Sequence, residues 1–428
     1  MADRSKRLRA TLLVLFLVNV LNFYDRQALG AVLEPLRREF HLSDAQLGGL
    51  TTAFTLLYAV AGLPLGRLAD TWSRRKLLAA GVAAWACLTG LGGLARNYTS
   101  LAVTRLGVGV GEAVCAPAAT SWLAGLGPAA RRTRAMAWFM MAVPVGGFLS
   151  FSLGGPVAQA FGWRVALAVA AFPGILLAPA LLSLREPRAE PYDEATAPSA
   201  SGKSAGPWHL ARIPAFGWIA ASGAIVNFAL YSFSTFLPAM LARYHGLTIA
   251  RAGVWTGVGS GVSGVLGALA AGALGDRGAD RLGASLAARR LRLAAATALA
   301  AAPAALEGAL APAGNVAAAV GWLMLAYGLL QTYYGLVYAA IEDIVPAHLR
   351  GTAMAAYYMA MYLCGASFGP LATGKLSDWL AARAVAAGSA LEAARAAGLH
   401  QAMYSIPVLA LALAFVLWRA ARASPREI

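Results

Sequence analysis

Charge is scarce in this 428-residue chain. Only 13% of its residues are Asp, Glu, Lys or Arg, against about 25% in soluble globular domains. With 59% hydrophobic residues and a mean hydropathy of +0.62, that shortage excludes a large soluble core. The class is polytopic membrane protein. Cysteine is scarce too: Cys87, Cys115 and Cys364 all lie in apolar runs. None has metal-ligand spacing, and no disulfide framework follows. None of His41, His209, His245, His348 or His400 lies deep in a span, which argues against a histidine proton relay. Gly202-Lys203-Ser204 lacks the first glycine of a nucleotide-binding loop and the strand before it, so ATP is not the energy source. No nucleophile–base pair suggests an enzyme. Acid is the scarcer sign, 19 Asp and Glu against 35 Lys and Arg, giving a net charge of +16. Basic residues that flank membrane spans account for this excess, so nucleic acid is not an expected partner.

What is present is length in apolar runs. A span needs about 20 residues, and twelve runs qualify: 10–33, 45–66, 77–95, 100–123, 135–158, 163–183, 213–240, 251–274, 291–312, 315–340, 351–373 and 400–420. The first is too long and too polar at its centre for a cleaved signal peptide. Residues 184–212, with Ser-Gly-Lys-Ser-Ala-Gly-Pro, have linker composition. The expected organisation is a bundle over 1–183, a cytoplasmic linker over 184–212 and a second bundle over 213–428. Placing the amino terminus in the cytoplasm puts most Lys and Arg on that side, including Arg74, Arg75, Lys76 and Arg131 to Arg134. The positive-inside rule then assigns both termini to the cytoplasm.

A short signature recurs. Gly66-Arg-Leu-Ala-Asp70 with Arg74-Arg75-Lys76 follows the second run, and Gly272-Ala-Leu-Gly-Asp276-Arg277 follows the eighth. The same signature at the same place in each half predicts two related six-helix bundles. In one transporter architecture such repeats hold a substrate site between the halves.

Two runs carry charge at membrane depth, which costs about 2.5–3.5 kcal/mol per group on insertion scales. Asp25 and Arg26 lie in the first, within Leu-Asn22-Phe-Tyr24-Asp-Arg, and Arg105 and Glu112 lie in the fourth. Seven residues apart, Arg105 and Glu112 share a helix face, about 10 Å apart in height. Four charges can neutralise one another there as a static salt-bridge cluster, or serve function. Burial pulls a carboxylate toward its protonated form and a neighbouring guanidinium toward its ionised one, so substrate or conformation can tip the balance. Asp25 and Glu112 are therefore the candidate proton carriers. Arg26 and Arg105 are candidate anchors for an anionic group, with Asn22 and Tyr24 beside them. In the second half Asn227, Tyr231, Phe233, Tyr333, Tyr334, Tyr357 and Tyr358 are candidate lining residues, with ordinary packing as the alternative for each. No charge lies deep there, so that wall is expected to be mostly apolar.

These motifs resemble the major facilitator superfamily. Gly66, Leu68, Asp70, Arg74 and Arg75 match its loop between helices two and three, while Ser73 replaces the usual second glycine. Phe161-Gly-Trp-Arg164 fits as well. The resemblance implies an all-helical transporter with twelve helices in two pseudo-symmetric bundles, working by alternating access. It also implies that Gly66, Asp70, Arg74 and Arg75 form a conformational latch. A narrower resemblance is to the spinster family of lysolipid and sphingolipid transporters. It rests on Asn22 to Arg26, on Arg105…Gly111-Glu112-Ala113, on Pro144 to Gly155 and on Gly365, Gly369, Pro370, Gly374 and Asp378. It implies a monomer in a bacterial inner membrane, driven by the proton gradient without cofactor or metal, that moves an amphipathic lipid. A symporter of small organic anions shares the charged motifs and is the alternative. A membrane sensor without turnover is the alternative of another class.

Overall fold

The computed structural model describes residues 2–124, 129–184, 186, 210, 212–276, 286–346 and 349–424. Among these every regular element is helical. The chain divides into two compact units, one of Met1–Glu190 with Ser234–Gly261, the other of Pro191–Phe233 with Val262–Ile428.

Eight helices lie within the first unit: α1 (Ala2–Ala31), α2 (Leu33–Phe40), α3 (Asp44–Thr71), α4 (Arg74–Gly92), α5 (Tyr98–Glu112), α6 (Cys115–Ala124), α7 (Ala129–Phe161) and α8 (Trp163–Ser183). Side chains, not tertiary packing, set several starts. Ser43 accepts from the Gln46 N–H while the Gln46 side chain reaches back to the Ser43 N–H, a capping box that fixes where α3 begins. Asn97 and Ser100 do the same for α5. The core is apolar and anchored by Trp85 and Trp122, both fully buried. α1 packs along α7, and α4 packs against α5 and α8.

The fourth run, expected as one helix, is broken between α5 and α6 at Ala113–Val114. Pro117, three residues into α6, has no N–H to offer the Ala113 carbonyl. The interruption places Glu112 at the end of α5.

Two further helices are shared. α9 (Pro214–Arg243) begins in the second unit and ends in the first, and α10 (Ile249–Asp276) does the reverse. The second unit continues with α11 (Leu286–Leu310), α12 (Val316–Ile344), α13 (Arg350–Met359), α14 (Gly369–Ala386), α15 (Leu391–Ala402) and α16 (Ser405–Ala423). α11 starts five residues before the expected ninth run and carries Pro303 inside it. Between α13 and α14 the eleventh run winds as a π-helix over Ala360–Ala366, with the Ser367 N–H donating to the Tyr362 carbonyl. Such widened turns are common at functional sites. A Cβ at Gly365 would run into the Ala224 carbonyl of α9, so this stretch can approach α9 only with glycine there.

Among the described residues ten helical segments are long and apolar enough to cross a membrane by length and composition. The two expected spans outside that set have local reasons. α4 opens on Arg74, Arg75 and Lys76, and the eleventh is divided by its π-helix, with Lys375 and Asp378 in the helix that follows.

Candidate functional site

Within the first unit the four expected charges come together. Asp25, Arg26, Arg105 and Glu112 are all buried, as are Asn22 and Tyr24. Arg26 donates from Nε and Nη2 to Glu112 Oε2, each at 3.4 Å, and from Nη2 to Asn22 Oδ1 at 3.2 Å. Its guanidinium carbon lies 4.4 Å from the Tyr58 ring centre, 4.8 Å from Phe23 and 5.7 Å from Phe54. Arg105 lies 5.7 Å from the same Phe54 ring. Aromatic faces attract a desolvated guanidinium, by about 2 kcal/mol in such surroundings. Both arginines are therefore held partly by rings, and Arg26 also by the Glu112 carboxylate. Phe54 and Tyr58 were missed in the sequence. Their signal was a pair of aromatics one turn apart on the third helix.

Helix spacing sets this geometry. A Cβ at Gly109 of α5 would meet the Phe54 carbonyl and the Tyr58 N–H of α3. Glycine at that one position lets α3 bring both rings over the charges.

The polar groups are not all satisfied. Neither Asp25 oxygen makes a hydrogen bond of good geometry, and Glu112 Oε1, Arg105 Nε and Asn22 Nδ2 are also without partners. Asp25 lies within electrostatic reach of Arg105, Glu112 and the Trp85 indole. Buried polar atoms are paired in nearly all folded proteins, so a cluster of unpaired ones makes this the candidate site. A static salt-bridge cluster would be expected to close these bonds.

The expected latch residues are placed differently. Gly66 is half-buried near the end of α3, and the Asp70 side chain lies outside the described residues. Arg75 donates from Nη1 to the Leu182 and Leu184 carbonyls at 3.2 and 3.0 Å. Glu186 accepts from the Ser73 hydroxyl at 2.7 Å and from the Arg74 N–H at 3.0 Å. The start of α4 is thus tied to the end of α8 within one unit. Glu186 was missed because it falls in the stretch read as a linker, most of which lies outside the described residues.

The second unit is built from hydroxyls and rings. Tyr357 donates to the Tyr333 oxygen at 3.0 Å, and Tyr333 bonds Ser222 Oγ at 2.7 Å. Tyr334 donates to Asn227 Oδ1 at 3.2 Å, and Asn227 donates to the Gly223 carbonyl. Tyr231 stands edge-on to Tyr362, and Phe233 stacks on Tyr327. Phe233, Tyr333 and Tyr357 are fully buried, so they brace this unit and do not line a surface in the state shown. Tyr231, Tyr334, Tyr338 and Tyr362 are half-buried and Tyr358 is exposed. Among the described residues no group of His, Cys, Asp or Glu could hold a metal ion.

The model of the Major Facilitator Superfamily matches residues 15–370. The chain is 36% identical over 284 residues to an MFS-type efflux pump of Mycolicibacterium smegmatis, covering 65% of this chain and 66% of that protein. It is 33% identical over 180 residues to spinster homolog 1 of Xenopus laevis, covering 41% of this chain and 34% of that protein. The chain thus spans between about a third and about two-thirds of these relatives. Among solved structures, that of a bacterial homolog of the human lysosomal transporter spinster, inward-facing and unoccupied, superposes with a TM-score of 0.87 at 25% identity over 98% of both chains.

Proposed function

From a chain that belongs to the major facilitator superfamily and resembles its spinster members, we infer a proton-coupled transporter of an amphipathic lipid, of the lysophospholipid or sphingolipid type. Members of this superfamily are multi-pass membrane transporters, not enzymes. The reading rests on one arrangement: Arg26 and Arg105 held against rings beside Glu112, with Asp25 unpaired.

Each residue has a part in it. A phosphate or carboxylate head presents two oxygens, which match a guanidinium fork. Arg26 meets that head by leaving Glu112, which it holds only at 3.4 Å. Glu112, losing its cation, then takes up a proton, and Asp25 is the second proton site. Proton uptake and head binding are coupled because both act on the same guanidinium. We assign the six-helix bundles to 1–183 and 213–428, both termini and the linker to the cytoplasm, and the protein to a bacterial inner membrane as a monomer. Asp70, with Gly66, Arg74 and Arg75, acts on turnover and not on affinity.

The test uses purified protein in liposomes. Lysophospholipids of two chain lengths and one short carboxylate are offered, with and without a pH gradient. The lipids should bind and move, and collapse of the gradient should slow them. If the short carboxylate alone binds and moves, the protein is an organic-anion symporter. Binding of any ligand without flux would make it a sensor.

A further inference from the structure

Two neighbouring helices of the second unit each carry an apolar stripe that ends in arginine. On α11 the exposed side chains Leu299, Leu306 and Leu310 recur at helical spacing. Arg292, also exposed, lies two turns before Leu299 on the same face. On α16 the exposed side chains Val408, Leu411, Phe415 and Trp418 do the same, and exposed Arg422 follows one turn later. The two helices pack side by side. His400, just before α16, bonds the Ala309 carbonyl near the end of α11. The helices are therefore antiparallel, and both arginines lie at one end. From Arg292 to Leu310 is about 27 Å at 1.5 Å per residue, close to the ~30 Å hydrocarbon core of a bilayer. The stripes thus face lipid, and the arginines reach the level of the headgroups.

Rings, not acids, hold these arginines. The Arg422 guanidinium carbon lies 3.8 Å from the Trp418 ring centre. That of Arg419, one turn earlier on α16, lies 5.2 Å from the ring of Trp218 near the start of α9. Among the described residues none of Arg292, Arg419 and Arg422 has an ion-pair partner. Asp343, at the same end, is taken by Arg290 at 2.6 Å. A guanidinium stacked on an indole face keeps its N–H edge for a phosphate, which it can grip with two parallel bonds. The other end of this unit differs. Arg383 stacks 4.2 Å from Trp379, but Arg395 of the helix packed beside it is paired with Glu392. That stack gains no second unpaired arginine from its neighbour.

We propose that the arginine end of α11 and α16 is a binding site for an anionic phospholipid of the surrounding leaflet. Its phosphate sits among Arg292, Arg419 and Arg422, its glycerol against Trp218 and Trp418, and its acyl chains along the two stripes. A zwitterionic lipid carries a cation of its own, which three arginines repel, so the site selects net negative charge. Under the orientation proposed above this is the cytoplasmic leaflet. The lipid is a resident partner on a bilayer-facing surface and not the transported substrate. The proposal needs only a chain that spans a membrane.

The experiment uses the full chain, purified in a neutral detergent. Phosphatidylglycerol and phosphatidylcholine of equal chain length are titrated in, and bound lipids are counted by native mass spectrometry. An arginine near an anionic headgroup is worth about fivefold in affinity. The native chain should therefore prefer phosphatidylglycerol by at least about tenfold, and Arg422→Gln should reduce that preference about fivefold. An Arg292→Gln, Arg419→Gln, Arg422→Gln triple variant should abolish the preference. It should still bind phosphatidylcholine, which reports folded protein. Arg383→Gln removes one exposed, ring-stacked arginine from the other end and should leave the preference unchanged. A native preference in the triple variant, or none in the native chain, overturns the proposal. So does an equal loss in Arg383→Gln, which would make the effect one of general surface charge. Soluble glycerol phosphate at the same concentration should not compete. Full competition by it would make this a site for free phosphate, and the lipid proposal would fall.

Discussion

The two units bury polar groups in opposite ways. Asp25, Arg26, Glu34, Arg37, Asp44, Arg105 and Glu112 are buried in the first, as is the side chain of Arg243. The second buries uncharged donors and acceptors: Ser222, Asn227, Thr332, Tyr333 and Tyr357. There Tyr357, Tyr333 and Ser222 bond one another, while several charged-site atoms in the first unit are unpaired. A closed network of neutral hydrogen bonds rigidifies. An unclosed network of charges responds to protons and anions. The proposed function draws its chemistry from the first unit and uses the second as framework.

The sharpest way to break this contrast is to neutralise the carboxylates. Glu112→Gln and Asp25→Asn should each reduce gradient-driven uptake to the level of empty liposomes, and at least one should keep binding or exchange. Full uptake in both variants would remove proton chemistry from the first unit.

The next effect concerns the arginines. Arg26→Lys and Arg105→Lys keep the charge but lose the fork and the flat stacking face. Each should weaken headgroup binding by about tenfold, or about 1.4 kcal/mol, measured by calorimetry on purified protein. Unchanged affinity would move the head elsewhere.

A smaller effect is expected in the second unit. Tyr357→Phe removes one bond to Tyr333, which keeps Ser222. It should cost about 1 kcal/mol of stability and leave substrate affinity unchanged. A large affinity loss with normal stability would give the tyrosines a direct binding role and erase the contrast.

The smallest effect is that of pH on the buried ion pairs of Glu34, which accepts from Arg37 at 2.9 Å and from Arg243 at 2.6 Å. Burial pushes Glu34 up, but the hydrogen bonds and charge of Arg37 and Arg243 together outweigh it and hold the carboxyl below its usual range. A depressed value means that the stabilisation is complete above the unfolded carboxylate pKa, about 4.3, and is lost only as pH falls through the folded one. The stability difference between the native chain and Glu34→Gln should therefore stay constant from pH 7 to pH 5 and shrink below about pH 4. A difference that shrinks already at about pH 6 would place a different group in control.

How legible each part was depended on whether its signal was local. Asp25, Arg26, Arg105 and Glu112 stood out because a charge inside an apolar run is rare whatever surrounds it. Phe54 and Tyr58 did not, since an aromatic in a membrane run is ordinary until a glycine such as Gly109 brings it over a guanidinium. Glu34, Asp44 and Arg243 lay at run ends, where charge is expected to be solvated. Tyr333 and Tyr357 read as equivalent to Tyr334, and only burial separated them.

By itself the sequence determined the class, the all-helical architecture, several helix starts and the four charged residues of the site. Hydrophobic run length, capping side chains and the cost of charge in lipid are properties of short segments, readable one residue after another. Tertiary structure alone decided which atoms of that site remain unpaired, which tyrosines are interior, and that Arg243 meets two carboxylates some 200 positions earlier in the chain. These depend on distances between helices, set by how side chains pack across the bundle and not by any segment alone.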